Sequence, residues 1–472
     1  MNNNYALRVF ENSIKRVPAY GKFLEQELGC IPEVKSIDDF YRLPFMSKAN
    51  YINAFPLAER CEDGTLHGKH SLYHSSGSTG KFTYWLANRE TEANYWQNLL
   101  NTLDRNFQIR RKQTLAIVSF TLGGSLSGIL FAWALRQIGL ETGMMTVATP
   151  GMDEEATAET IIEFSHRFEQ TIIYSYPASA KNIIEYAAKK CPDISKYNIK
   201  LMLVGDAFSE NFRDSMNKLL GYPYGYPASI SSGYGATDFR AAGTETVLCT
   251  VIRRFMHENS KVREVLGVDT IPSLCQINTA SIFMEVVDNE IVVTQNNAVP
   301  LVRYKTSDRG GLVDYDQMIS RLAALGFDPV QKATGWGYDP STLSREPFVY
   351  IQGRKEGSIS FRGKLIYIES VKRVIEDDDV LSKLLTGEFQ MSVTEDEHQE
   401  AFLELAIVPK PGVEIKDLNG LSVTFAEGFA RTTGGIYAGL LERKHPAAFP
   451  RLRVVSRDQI ATSSGLKIKY IK

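Results

Sequence analysis

The sequence predicts an α/β protein: a large N-terminal domain with mixed and parallel sheets and crossover helices, plus a small α+β C-terminal domain joined by a hinge. Three observations carry this. From Thr114 to Gly221, short apolar runs alternate with amphipathic helical stretches, the pattern of parallel strands joined by crossover helices. After about residue 278 the texture changes to hairpin-like strands and then to a smaller α+β unit. The chain is also 472 residues long, well beyond one ordinary domain.

Taken in order, Leu7, Phe10, Ile14 and Val17 recur at helical spacing over residues 5–17. Pro18 ends or kinks that helix, and a second short one follows through Phe23 and Leu24. In "LPFMSKANY" Pro44 is a breaker and Ser47 a plausible N-cap. "TLAIVSF" is an apolar strand, and "TLGGSLSGILFAWALRQIG" is a glycine turn opening a helix. "TIIYSY" then "ASAKNIIEYAAKK", and "IKLMLVGD" then "SENFRDSMNKLLG", repeat strand and helix. "SIFMEVVDNEIVVTQ" reads as an antiparallel hairpin turning at Asp288-Asn289. "FVYIQGRKEGSISFRGKLIYIESVKRVIED" opens the smaller unit, with a boundary near Gly353-Arg354, so the expected domains are 1–352 and 353–472. Residues 311–346 have mixed content and are left as an unassigned insertion.

Composition narrows the function classes. Hydrophobic residues make up 43% and charged residues 23%, both ordinary for a globular protein. A net charge of −2 argues against non-specific nucleic-acid binding and against an anionic membrane surface. The start, "MNNNYALRVFENSIKR", is polar and is not a signal peptide. The apolar run near 114–135 is interrupted by Gly, Ser and Thr, and is too short to span a bilayer. Five scattered cysteines without a CxxC pair disfavour a disulfide framework, and a cytoplasmic location is expected. Cys249 and His257 are the one close pair and are too few for a closed zinc site, so no zinc is expected.

The stretch "HSSGSTGKFT" at 74–83 concentrates glycines, hydroxyls and one lysine. A Walker-type phosphate loop needs G-x-x-x-x-G-K-[S/T]; here Ser75 and Phe82 break the pattern at two positions. A purely structural turn remains open on these ten residues alone. The third reading is a loop whose amides and hydroxyls wrap a triphosphate. Four further stretches follow in order: "SSGYGATDFR", "VPLVRYKTSDRGG", "QGRKEGSISFRGKLIYIESV" and the terminal "SSGLKIKYIK".

Together these five stretches resemble the adenylate-forming superfamily of acyl- and aryl-CoA synthetases, non-ribosomal adenylation domains and luciferases. The loop resembles "SSGTTGKP", "YGATD" resembles "YG-x-[S/T]-E", and "RYKTSD" resembles "YR-T-G-D". Within the superfamily the chain looks most like the phenylacetate–CoA ligase branch. That likeness rests on Val17-Pro18-Ala19-Tyr20, "LPFMSK" at 43–48, "FTLGGSLSG" at 120–128, "SYPASAKNI" at 175–183 and "GDAFSE" at 205–210.

The resemblance implies a two-step reaction. A carboxylate attacks the α-phosphorus of ATP to give an acyl-adenylate, and a thiol (CoA) then takes the acyl group and expels AMP. It implies that Ser75, Ser76, Gly77, Ser78, Thr79, Gly80 and Lys81 grip phosphates, with Thr79 in direct contact. Asp238 stands where the family carries a glutamate ligand of Mg²⁺, one methylene longer. Thr237 contacts the α-phosphate, Tyr234, Gly235 and Ala236 lie against the nucleotide, and Gly205, Asp206 and Ala207 wall the base. Asp308 binds the ribose hydroxyls, Arg354 helps hold the nucleotide, and Glu356 is the hinge residue. Lys467 is the candidate catalytic lysine; Leu466 displaces it by one position from the family's glycine-lysine pair, which leaves Lys469 as a rival. Lys364 is a candidate contact for the acceptor. Phe120, Tyr174 and Tyr176 are expected to line a pocket for an aromatic or hydrophobic monocarboxylic acid.

Two other functions stay open. The acceptor can be an amine or a carrier-protein pantetheine instead of CoA. A degenerate, non-catalytic relative is the other reading, fed by Asp238, the single acidic hinge residue and the displaced lysine. The sequence leaves the oligomeric state open, a homodimer included.

Overall fold

The computed structural model describes residues 1–472 except 70, 76–82, 124–125, 269–270, 355–356, 362–363, 396–400, 434–435, 461, 464–466, 469 and 472. The expected first helix spans Asn3–Arg16, capped by the Asn2 side chain and closed by basic residues in its last turn. Pro18 occupies the first turn of the next helix, Pro18–Leu28, where its missing N–H costs nothing. Ser47 caps Lys48–Ile52 through a reciprocal bond with Asn50.

A hairpin of β1 (Ser71–Ser75) and β2 (Thr83–Ala87) flanks the glycine-rich loop. The strands that follow are β3 (Thr114–Val118), β4 (Met145–Ala148), β5 (Gln170–Ser175), β6 (Ile199–Val204), β7 (Ile230–Ala236), β8 (Arg240–Thr244) and β9 (Ser273–Ile277). Next come β10 (Phe283–Val287), β11 (Glu290–Gln295), β12 (Leu301–Val313) and β13 (Phe348–Arg354). These eleven strands, β3 to β13, form one sheet in the order β10-β11-β12-β13-β9-β8-β7-β6-β5-β3-β4. The pairs from β4 to β7 are parallel, and every other pair is antiparallel. The parallel and hairpin regions read from the sequence are thus two parts of a single mixed sheet. The β10–β11 turn places Asp288 and Asn289 at φ 53° and 62°, the left-handed pair a two-residue hairpin requires.

β13 is the strand that joins the two parts, pairing with β12 on one side and β9 on the other. The stretch that begins the small unit in sequence therefore starts inside the large sheet, which ends at Arg354. The region 311–346 carries the end of β12 and the helices Tyr315–Ala323 and Pro329–Gly335. Its Phe327 stacks on Phe255 at 3.8 Å between centroids, so it packs on the helix Val247–Glu258.

The remaining elements build a separate apolar core around Val371, Phe389, Leu403, Phe425 and Tyr470. A hairpin of β14 (Ser358–Phe361) and β15 (Lys364–Tyr367) leads into the helix Ile368–Asp377. A three-stranded sheet follows, of β16 (Leu385–Glu395), β17 (Ala401–Pro409) and β18 (Arg451–Val454). At the end, β19 (Thr462–Ser463) pairs with β20 (Lys467–Ile468). Among the described residues, no helix is long and apolar enough to cross a membrane.

Candidate active site

The loops that leave the parallel strands all emerge at one end of the sheet, the end at which α/β folds build binding sites. A cavity of about 850 Å³ opens there, lined by Tyr176 after β5, Gly205 after β6 and Tyr234 to Asp238 at the end of β7. Thr306 and Ser307 of β12 close another side. Motifs separated by up to 130 residues in sequence thus meet in one space.

Two carboxylates stand beside it, Asp238 on its wall and Asp308 one hydrogen bond behind Tyr234. Asp308 is buried on β12, and the Tyr234 hydroxyl donates to its Oδ2 at 2.8 Å. The sequence suggests a turn for "SDRGG"; in the structure Asp308 sits in a strand, opposite Arg354 of β13. Asp238 is also buried and accepts from the Tyr304 hydroxyl at 2.6 Å. The Lys48 ammonium lies 3.5 Å from the same oxygen. Neither Lys48 nor Tyr304 was singled out from the sequence, although both stand inside stretches that carry the resemblance, "LPFMSK" and "RYKTSD". They meet because residue 46 forms a parallel bridge with Tyr304, which lays the N-terminal segment beside β12.

Gly205 has φ 91°, and a Cβ there would stand 2.8 Å from the Tyr176 ring. Glycine is the residue that serves both the left-handed backbone and that close approach. Asp206 and Ala207, expected beside it, are not among the cavity's lining residues. Asp206 instead pairs with Lys372, 3.2 Å away. Burial pushes the Tyr176 hydroxyl above the ordinary tyrosine value, and the Asp206 charge adds to that.

The expectation for the acid pocket needs correction at two residues. Phe120 and Tyr174 are fully buried behind the cavity and do not line it. Phe120 meets Tyr176 edge-on at 4.9 Å and stacks on Phe131 at 5.6 Å, while Tyr174 packs on Phe131. Depth explains the miss: Tyr174 lies inside β5, where every residue is buried, and Tyr176 follows the end of the strand, where the cavity opens. The apolar wall is made by Tyr176, Leu126, Leu130, Phe131, Met202 and Val204. The helix Arg89–Phe107, not foreseen from the sequence, adds Tyr95 and Leu99 and a polar rim.

Behind β7 lies a buried ionic network. Arg213 and Arg253 both reach Glu245 at 2.7 Å, and Arg213 also pairs with Glu210. Burial alone would raise the Glu210 carboxyl; the guanidinium groups of Arg213, Arg253 and Arg254 outweigh it and hold the pKa at about 2. The network ties the start of the helix Glu210–Leu219 to the chain after β8 and so stiffens the strand that carries Tyr234.

Ser76, Gly77, Ser78, Thr79, Gly80, Lys81, Glu356 and Lys469 lie outside the described residues. Ser75 ends β1, Arg354 ends β13, Lys364 begins β15 and Lys467 begins β20. Gly235, Ala236 and Thr237 are on the cavity wall. Among the described residues there is no group of three or more His, Cys, Asp or Glu that could hold a metal. Mg²⁺ at a nucleotide takes one or two carboxylates and completes its shell with phosphate oxygens and water. Asp238, an oxygen donor on the cavity wall, fits that lesser demand. Cys249 is fully buried, and burial pushes its thiol up to about 12.

No protein-family model and no curated protein matches the chain. Solved structures do. A 2-hydroxyisobutyryl-CoA ligase in its postadenylation state, in complex with 2-HIB-AMP, is 14% identical, with 99% of this chain and 88% of that one covered and a TM-score of 0.66. The same ligase scores 0.55 in its thioesterification state with CoA and 0.56 in an open conformation. The amide bond synthetase McbA from Marinactinospora thermotolerans is 12% identical over 86% of this chain and 68% of that one, with a TM-score of 0.51. The architecture is therefore that of the adenylate-forming ligases. Among them, the ligase first named is matched over nearly the whole of this chain.

Proposed function

We propose that this protein uses ATP to convert an aromatic or hydrophobic carboxylic acid into an acyl-adenylate and then passes the acyl group to the thiol of CoA, releasing AMP. The observation that carries this reading is that Tyr234, Thr237 and Asp238 share one cavity with an apolar wall, while the Tyr234 hydroxyl donates to the buried Asp308 just beyond it.

The chemistry follows from the residues. Asp308 accepts from two vicinal ribose hydroxyls, a good match for a buried carboxylate. Tyr234 and Gly205 bound the nucleoside, and Thr237 donates to the α-phosphate. Asp238 would hold Mg²⁺, which would supply charge neutralisation for the phosphates. The amides and hydroxyls of residues 75–81 hold the outer phosphates. Lys467, or Lys469, brings an ammonium between the two reacting anions, the acid's carboxylate and the α-phosphate. The acid lies against Tyr176, Leu130, Phe131 and Met202. The domain that binds ATP and acid, expected over 1–352, runs on to the end of β13 at Arg354; the residues after it, to 472, form the mobile domain, with Glu356 the hinge. The phenylacetate–CoA ligase branch is the subgroup this reading places it in, and a cytoplasmic location suits both CoA and the free thiols.

The test is a mass-spectrometric assay with ATP, Mg²⁺ and a pool of aryl and fatty acids, with and without CoA. Acyl-AMP that turns to acyl-CoA is the expected result. Acyl-AMP that persists with CoA present moves the acceptor to an amine or carrier protein. Absence of acyl-AMP from a widened pool, with ATP still bound, overturns catalysis in favour of a degenerate relative.

A further inference from the structure

Asp206 does not face the cavity, yet it follows directly on Gly205, which does. Its carboxylate is 3.2 Å from the ammonium of Lys372, a side chain only 11% exposed on the helix Ile368–Asp377 of the C-terminal unit. The Lys372 ammonium also lies 4.5 Å over the Tyr470 ring and hydrogen-bonds its hydroxyl. Tyr470 is buried, and its backbone oxygen accepts from the residue 391 amide at 2.6 Å. The loop after β6, the helix 368–377 and the terminal segment holding Lys467 and Lys469 are therefore joined at one lysine.

Burial would depress the Lys372 ammonium; Asp206, Tyr470 and Glu369 together outweigh that and lift its pKa above the ordinary lysine value. A charge kept in so dry a place needs its partner: removing one side of a buried pair strands the other. One turn further on, the Glu376 carboxylate accepts from the Ser209 amide at 2.8 Å, and on the far side Lys410 pairs with Glu185 at 3.2 Å. Among the described residues, neither of these pairs touches the terminal segment. Lys372 does.

We propose that Lys372 is a positioning residue that latches the C-terminal unit in the pose for acyl-adenylate formation, by coupling the Gly205-Asp206 loop to the tail that carries the catalytic lysine. The higher likeness to the postadenylation state of the ligase above, compared with its two other states, agrees with this pose. Rotation of the unit to any other pose must break the Asp206–Lys372 pair, because the two groups sit on the two bodies that separate. The inference rests on the two-step reading for its purpose, but its geometry does not need turnover.

The experiment is a distance measurement by electron–electron double resonance on the full chain. Nitroxides go on Lys218→Cys and Lys383→Cys, both exposed positions, one on each unit, with Cys30→Ser and Cys191→Ser to keep labelling specific. The unliganded protein is expected to show one dominant distance. Lys372→Met is expected to raise a second distance population at least tenfold, and Lys372→Arg to restore the single one. Tyr470→Phe, which keeps the core ring and removes only the hydroxyl, is expected to shift the population in the same direction and covers the case in which Lys372→Met fails to fold. Overlapping distributions for the parent, Lys372→Met and Tyr470→Phe would overturn the latch, as would a parent already divided between two distances. A latch found in a protein that makes no adenylate leaves the inference standing and removes the proposed function instead. With the acid identified, Lys372→Met is expected to lower kcat for adenylate formation at least tenfold with little change in KM for ATP, and to leave thioester formation from supplied acyl-adenylate intact.

Discussion

On the proposed function, Asp308 is the residue on which nucleotide binding turns. It is buried, strand-held and already oriented by the Tyr234 hydroxyl, so a ribose would meet it without a search for its rotamer. Hydrogen bonds to a charged acceptor contribute about 1.5–3 kcal/mol. Asp308→Asn is therefore expected to weaken ATP binding roughly 10- to 150-fold, read by calorimetric titration, with the unfolding midpoint little changed. An unchanged affinity would place the ribose elsewhere. At this scale the sequence singled out residues wherever they sat in a recognisable ordered stretch. It named Asp308, Tyr234 and Asp238. It did not name Tyr304 or Lys48, because their roles come from a bridge between segments some 260 residues apart, and no local pattern encodes that. It misassigned Phe120 and Tyr174, because an aromatic side chain near a site reads alike whether it lines the cavity or backs it.

Single elements carry their own electrostatic signature. Lys200 lies on β6 in the middle of the parallel half, 3% exposed, with its ammonium within 6 Å of the rings of Phe107, Tyr222 and Tyr226. Burial first, and then Lys112, lower its pKa from 10.5 to about 8. A lysine with a depressed folded pKa binds fewer protons in the native state than in the unfolded state between those two values. Stability contributed by this site therefore rises with pH from about 8 to 10.5, and the full penalty is present below 8. That penalty is up to about 3 kcal/mol, and the three rings return part of it. Lys200→Met is expected to be more stable than the parent at pH 7 by about 1–3 kcal/mol. The difference should shrink towards pH 10, as read by urea unfolding at each pH. A pH-independent difference would show that β6 carries this lysine charged, with its pKa unshifted. The alternation of strands and helices around β6 was plain in the sequence because each apolar run is bounded by Gly, Pro or Asn. The helix Arg89–Phe107 was not, since its tyrosine, tryptophan and asparagine residues blur the apolar stripe.

For the molecule as a whole, two separate cores suit the proposed division into a binding domain and a mobile one. A chain ended at Arg354 keeps β13 entire. It is expected to fold cooperatively and to bind ATP within about tenfold of the full protein. It is also expected to lose at least 100-fold in adenylate formation, because the terminal lysine is gone. An insoluble fragment, or one that adenylates normally, would refute that division. The class of the fold was legible because strand–helix alternation and hairpins are local patterns. The unity of the sheet was not, because it depends on one distant strand.

That strand has a consequence for how the protein comes into being. β13 closes the sheet between β9 and β12, yet it is made about 70 residues after β9 is complete. At an elongation rate of roughly 5–20 residues per second, the β9 edge stands open for about 4–14 s and the later β12 edge for about 2–7 s while the ribosome reaches β13. The helices of residues 315–335 are synthesised in that interval and pack locally on 247–258, bringing the chain back to the gap it must fill. Assembly of the nascent chain thus has a fixed direction, with a vulnerable window in which a chaperone that shields strand edges has most to do.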